Sequence, residues 1–223
     1  MRTLIALVLA SIPVVADDSD QVKRLREAAA VFSEIMAAPD KGIPRDLIER
    51  ARCIVIVPGL KKGAFVFGAQ YGRGFLSCRS KTAAWSAPGS VRVEGGSFGF
   101  QIGGLESDVI LLVMNQRGAD KLLSSQFTLG ALGEVAGGPV GRQMTAQTDA
   151  RMRAQILSWS RARGIFAGLS LQGATLRQDL SDNEALYGKR LKNRAIVTEG
   201  VPPPSAAQPL LALLRAYPFK KST

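Results

Sequence analysis

The sequence predicts an α+β protein. Its single domain would be built on a Gly-rich, strongly curved, largely antiparallel, barrel-like sheet, with an amphipathic helix at the N-terminal end and a covering helix at the C-terminal end. Three observations carry that prediction. Short strand-like runs recur at intervals of about 8–12 residues without alternating with helices, which argues against a doubly wound parallel sheet. Helical patterns sit mainly at the two ends of the chain. The segment Trp85 to Asn115, WSAPGSVRVEGGSFGFQIGGLESDVILLVMN, spends Gly95, Gly96, Gly99, Gly103 and Gly104 inside strand-like sequence and closes in the apolar run Val109 to Met114. Gly there surrenders backbone entropy and packs nothing, so such glycines mark a sheet that bends, bulges or admits another backbone closely.

Taken in order, Met1 and Arg2 precede an apolar stretch, Leu4 to Val15, that ends Val14-Val15-Ala16 before Asp17-Asp18. A basic start, a short apolar region and small residues at its end are the pattern of a secretory signal peptide. The stretch is shorter than the roughly 20 apolar residues of a membrane-spanning helix. Cleavage after Ala16 is expected, leaving residues 17–223 as one exported domain, most simply in a bacterial periplasm and peripherally attached to the envelope membrane. At 46% hydrophobic and 21% charged residues, the 223-residue chain has the composition of one globular unit with a substantial core.

Asp18-Ser19-Asp20 offers N-caps for a helix over 21–37, with Val22, Leu25, Ala29, Phe32 and Met36 near one face. Pro39 and Gly42 end it, and a short helix over 45–51 follows. Cys53 to Val57 is a β-branched strand stopped by Pro58-Gly59. Ala64 to Tyr71 and Gly74 to Arg79 read as a hairpin around Gly72-Arg73. Strands are expected over 84–87, 91–94, 97–102 and 109–115, and a short helix over 116–124. Leu129 to Val140 is again Gly-rich. Arg153 to Ser160 and Ile165 to Leu171 read as a strand pair. A helical turn is expected through Tyr187, a strand near 195–198, and a Leu-rich helix over 209–217 covering an edge or end of the sheet.

The residues missing from the chain limit its chemistry. It contains no histidine, which removes Ser-His-Asp and Cys-His catalysis and every His-containing metal site. With two cysteines, zinc and iron–sulfur sites fall away too, so neither metal nor cofactor is expected. Cys53 and Cys78 either pair in an oxidising compartment, worth about 3 kcal/mol, or are two separately buried thiols. Gly59-Leu60-Lys61-Lys62-Gly63 lacks the GK[ST] ending of a phosphate loop, and the glycines over 95–104 do not keep G-x-G-x-x-G spacing. Glu94, Glu106, Asp108, Asp149, Asp179, Asp182 and Glu184 are carboxylates that no spacing singles out as a catalytic pair. No Ser-x-x-Lys occurs. The chain reads as a non-enzyme.

The charges are more informative. The formal net charge of +11 points to an anionic partner, and export argues against nucleic acid. Lys23, Arg24 and Arg26 line the first helix, while Lys61 and Lys62 are expected at a loop tip with Arg73 on the next turn. Positive charge beside an apolar helical face suits an anionic membrane surface; the competing reading packs that face on the core and leaves the charges to water.

The blocks IPRDLIERARCIVIVPGLKKGAFVFGAQYGRG, WSAPGSVRVEGGSFGFQIGG, LGALGEVAGGPVGRQ, RARGIFAGLSLQGATLRQD and DNEALYGK, in that order, resemble the SYLF domain from about Gln21 to about Tyr217. The resemblance implies a lipid-binding module without catalysis, related to that of endocytic adaptors carrying a Src-homology-3 domain. Carried over by position, helix 21–37 would insert shallowly while Lys23, Arg24 and Arg26 hold headgroups; Lys61, Lys62 and Arg73 are added on electrostatic grounds. The expected partner is an anionic phospholipid surface, and the actin binding of eukaryotic relatives is not expected of an exported protein. Two other readings stand beside it: a carrier of an apolar ligand inside the barrel, and a structural or protein-interaction component of the envelope.

Overall fold

The computed structural model describes residues 19–39, 42–64, 67–80, 82–98, 103–129, 135–137, 156–162, 165–166, 171 and 173–220. The signal-peptide segment and most of the Gly-rich stretch 129–140 lie outside them. Among the described residues the strands are β1 (Cys53–Ala64), β2 (Phe67–Cys78), β3 (Gly89–Phe98), β4 (Gly103–Val113), β5 (Gln126–Thr128), β6 (Val135–Gly137), β7 (Ile156–Ala162), β8 (Ile165–Phe166) and β9 (Thr175–Gln178). They form one curled sheet in the order β5-β9-β3-β2-β1-β4-β7-β6, with β8 beside β7. Every pairing is antiparallel except β6 with β7. The local order β3-β2-β1-β4 is a Greek key: three strands meander and the fourth returns beside the first.

The sheet is covered on both faces, which is why Val109 to Val113 is apolar without alternation. Ile54, Ile56, Phe75, Ile110, Leu112, Leu157 and Trp159 form one core with the helices. Their neighbours Val55, Val57, Leu76, Leu111, Val113 and Ile156 form a second core inside the curl with Val91, Val93, Leu176 and Val197. A bulge keeps β1 in both. Val57 pairs with Val109, but the next partner pair is Leu60 with Ser107, so β1 carries one extra residue there. Gly59 sits in the extra turn at φ +56°, and Pro58, which has no N–H to offer the ladder, is accommodated beside it. The strand expected to stop at Pro58-Gly59 therefore runs on, with Leu60 restored to the inner core.

The hairpin expected around Gly72-Arg73 is displaced. β2 is continuous, and its antiparallel pairing with β1 runs from Cys53 opposite Cys78 out to Ala64 opposite Gly68. Gly72 is glycine for close packing: a Cβ there would lie 2.7 Å from Leu60 Cδ1 and 2.8 Å from Val57 Cγ1. The register sets Cys53 directly opposite Cys78, with Cα atoms 4.0 Å apart, and the two are joined in a disulfide. The strand expected over 84–87 is a single bridge between Arg79 and Trp85.

Three helices cover the outer face: α1 (Asp20–Ala37), α2 (Arg45–Arg50) and, after α3 (Gln116–Leu122), α4 (Leu180–Tyr187), α5 (Asn193–Thr198) and a 3-10 turn, the C-terminal α6 (Gln208–Arg215). Of these, α1, α2 and α6 supply the outer core. Ser19 caps α1, its hydroxyl accepting from the Val22 N–H. α6 lies over the face beside α1 rather than on a sheet edge, with Trp85 Nε1 donating to the Leu214 carbonyl at 3.0 Å. The stretch 195–198, expected as a strand, is helical, because Ile196 and Val197 bury as one side of a short turn. No described helix is long and apolar enough to cross a membrane.

Candidate functional site

The first question is what α1 does with its apolar face. Leu25, Ala28, Ala29, Val31, Phe32 and Ile35 are all buried against the sheet and α6, so the buried stripe is rotated slightly from the expected one. Burial of the four large side chains is worth on the order of 8 kcal/mol at about 2 kcal/mol each. Leaving the sheet would also open the outer core that α1 shares with Ile54 and Ile56 of β1 and Phe75 of β2. Shallow insertion of this face is therefore incompatible with the docked helix. What a docked α1 presents outward is its polar side.

Two ionic pins hold α1. At its N-terminal end the Asp182 carboxylate accepts from Arg24 Nη1 at 2.7 Å, Gln21 Nε2 at 2.9 Å and Arg73 Nη1 at 3.3 Å. Asp182 is delivered by α4, whose N-cap, Asp179, accepts from the Asp182 N–H and faces Arg73 at 3.6 Å. Burial alone would raise the Asp179 carboxyl, but the Ser181 hydroxyl, the Asp182 amide and Arg73 outweigh it and hold it below its ordinary range. Arg73 also donates to the Tyr71 hydroxyl at 2.6 Å, which keeps its guanidinium proton tightly bound. At the C-terminal end Arg161 of β7 bridges Glu34 of α1 and Asp108 of β4, and Asp108 accepts the Gly59 N–H at 3.1 Å.

The predicted cations thus divide by role. Arg24 and Arg73 converge on Asp182, part-buried, and bind helix to sheet. Lys23 and Arg26 are exposed on the outer side of α1 and have contacts of their own. Lys61 and Lys62 lie within β1 past the bulge, near its end, rather than on a loop, and neither makes a hydrogen bond or ion pair to a described residue. Beside them a cleft of about 580 Å³ is lined by Gly59, Lys61, Lys62, Leu105, Glu106 and Arg161, among others. Tyr71 and Leu105, 45% and 40% exposed, are the large apolar side chains most open to water among the described residues, and they are the register partners of Lys61 and Lys62.

Sequence reasoning missed a second, wholly structural site. Asn183 Oδ1 accepts the Ser90 N–H at 2.7 Å, its Nδ2 donates to Asn193 Oδ1 at 2.7 Å, and Asn193 Nδ2 returns to the Ser90 carbonyl at 2.9 Å. This buried net, with Tyr187 donating to the Pro88 carbonyl at 2.6 Å, explains the DNEALYGK block as the fastening of α4 to β3. Among the described residues no three His, Cys, Asp or Glu side chains group as metal ligands would.

A protein-family model described as "Las17-binding protein actin regulator", Ysc84, matches residues 94–217, more than half of the chain. The chain belongs to the Ysc84 family. The SYLF resemblance is thereby established as kinship. Among relatives, the chain is 29% identical over 214 residues to the SH3 domain-containing YSC84-like protein 1 of Rattus norvegicus, covering 95% of this chain and 63% of the relative. It is 31% identical over 189 residues to LAS seventeen-binding protein 3 of Saccharomyces cerevisiae, covering 82% of this chain and 41% of that protein. Protein YSC84 of the same yeast is 30% identical over 184 residues. The chain spans about three fifths of the length of the animal relatives. The Ysc84 family description names binding and regulation, and the matched residues 94–217 begin after α1 and include its pinning partners Asp108, Arg161 and Asp182.

Proposed function

We propose that this chain is a non-catalytic, peripheral membrane-binding module that engages anionic phospholipid surfaces through the outward polar side of docked α1. The observation that carries the reading is the arrangement of charge on that helix. Arg24 turns inward to Asp182 while Lys23 and Arg26 stay exposed, in a protein with 29 Lys and Arg against 18 Asp and Glu. Each cation near an anionic surface contributes about 1 kcal/mol, screened by salt. An exported, periplasmic setting belongs to the same proposal and rests on the pattern of residues 1–16. Binding of a protein partner, the property in the name of LAS seventeen-binding protein 3, is the second reading, and kinship alone favours it. The carrier reading has no support in the described interior, where Val55, Val57, Leu76, Val91 and Leu111 pack together.

Co-sedimentation with vesicles of phosphatidylcholine, with and without phosphatidylglycerol, tests the proposal across a salt series. Preference for the anionic vesicles, lost with added salt and weakened by Lys23→Glu with Arg26→Glu, is the expected result. Equal binding to both vesicle types, or no effect of the double reversal, refutes it.

A further inference from the structure

The geometry points to a second membrane contact on the same protein: the end of the sheet around Lys61 and Lys62, with a lipid headgroup phosphate at the mouth of the adjoining cleft. This deepens the proposed membrane binding and rests on it. Lys61 and Lys62 are neighbours on β1, so their side chains leave opposite faces of the sheet. Each is paired in register with an exposed apolar side chain: Lys61 with Tyr71 on β2, and Lys62 with Leu105 on β4. Two cations without a described ion-pair partner are thus flanked by the two large apolar side chains most open to water among the described residues.

The chemistry of that combination is that of a bilayer interface. A lysine lays its alkyl stem along apolar surface and keeps its ammonium in the headgroup layer, and a tyrosine ring sits at the same depth. A soluble anion would use the lysines and gain nothing from Leu105 or Tyr71. Deeper in the cleft the charges are already satisfied: Arg161 is taken by Asp108 and Glu34, and Asp108 also by the Gly59 amide. Glu106 faces Lys61 across the ladder, making no ion pair with it among the described contacts. The net positive charge therefore lies at the mouth. Gly63 and Gly104, register partners next to the lysines, carry no side chain and leave open space where a Cβ would stand, so a flat surface can approach the ladder there.

The test uses the full chain and vesicles of phosphatidylcholine with phosphatidylglycerol. Leu105→Trp provides a depth probe, because the native Trp85 and Trp159 are buried in the outer core and shielded from lipid. Lys61→Glu with Lys62→Glu removes the cations at exposed or half-exposed positions, and an unchanged thermal midpoint confirms the fold. The expected result is quenching of the Leu105→Trp probe by brominated acyl chains in anionic vesicles. The lysine reversal should weaken binding by about tenfold or more. If the wild type binds anionic vesicles but the reversal binds equally well and the probe is unquenched, the second contact is overturned while membrane binding through α1 stands. If the wild type shows no preference for anionic vesicles, both fail. Binding of inorganic phosphate that needs the lysines, with an unquenched probe, assigns them to a soluble anion and also overturns the inference.

Discussion

Replacing Asp182 with Asn measures how firmly α1 is held. The carboxylate is 4% exposed and takes hydrogen bonds from Arg24, Gln21 and Arg73. Removing one partner of a fully buried pair costs about 3–5 kcal/mol. Here Arg24 is 18% and Arg73 35% exposed, so both guanidiniums can recover water, and the cost falls to about 2 kcal/mol. For a chain of this size that lowers the thermal midpoint by about 4–8 °C. Circular dichroism of Asp182→Asn, Arg24→Met and the double variant forms a cycle, and a coupling of about 1 kcal/mol or more is expected between the two. A stability of Asp182→Asn within about 0.5 kcal/mol of wild type would refute the pin, since that is the range of an ordinary surface change. Arg24→Glu places a second carboxylate against Asp182, so weakened vesicle binding by that variant would report a loosened helix. Lys23 and Arg26, exposed on the outer side of α1, are the positions to reverse for membrane contact, with an unchanged thermal midpoint as the control on the fold.

Two further outcomes follow from the core and its edges. Gly74→Ala would set a Cβ 2.0 Å from the Ile56 carbonyl oxygen, a backbone clash, and should destabilise by about 3 kcal/mol or more, whereas Gly63→Ala meets open space and should fall within about 0.5 kcal/mol of wild type; equal chemical-denaturation midpoints for the two would contradict the packing. Hydrogen bonds from Lys220 and then Arg45 lower the Glu49 carboxyl, and Asp179 is lowered as described, so both contribute stability that is present above the unfolded carboxyl range and lost as pH falls through their folded values. Thermal midpoints should decline below about pH 4, and less steeply in Glu49→Gln; parallel slopes would show that Glu49 carries none of the acid sensitivity.

Arg79 illustrates what remained hidden in the chain. Its guanidinium donates to the carbonyls of Ile48, Ala51, Ala83 and Tyr217 and lies 4.2 Å from the Trp85 ring centroid. Burial pushes it down to about 10, still protonated at neutral pH. It ties the end of α2 to the C-terminal segment. In the sequence it was simply the last residue of a strand, since three of its four carbonyl partners, Ile48, Ala51 and Tyr217, lie far from it along the chain.

The local pattern was sufficient for α1, α2, the short helix after Asn115 and the existence of a curved antiparallel sheet, because capping, helical periodicity and β-branched runs act over a few residues. It also identified Cys53 and Cys78 as candidates for pairing. Tertiary structure decided where the chain turns: Pro58-Gly59 became a bulge and Gly72-Arg73 a mid-strand crossing, since a glycine chosen for close packing and one chosen for a turn look alike in sequence. It likewise decided which charges can work outside the fold. Lys23, Arg24 and Arg26 are near-equivalent in one dimension. Only docking against β2 and α4 turns Arg24 to Asp182 and leaves its neighbours facing out, because the direction of a side chain is set by what the helix packs upon.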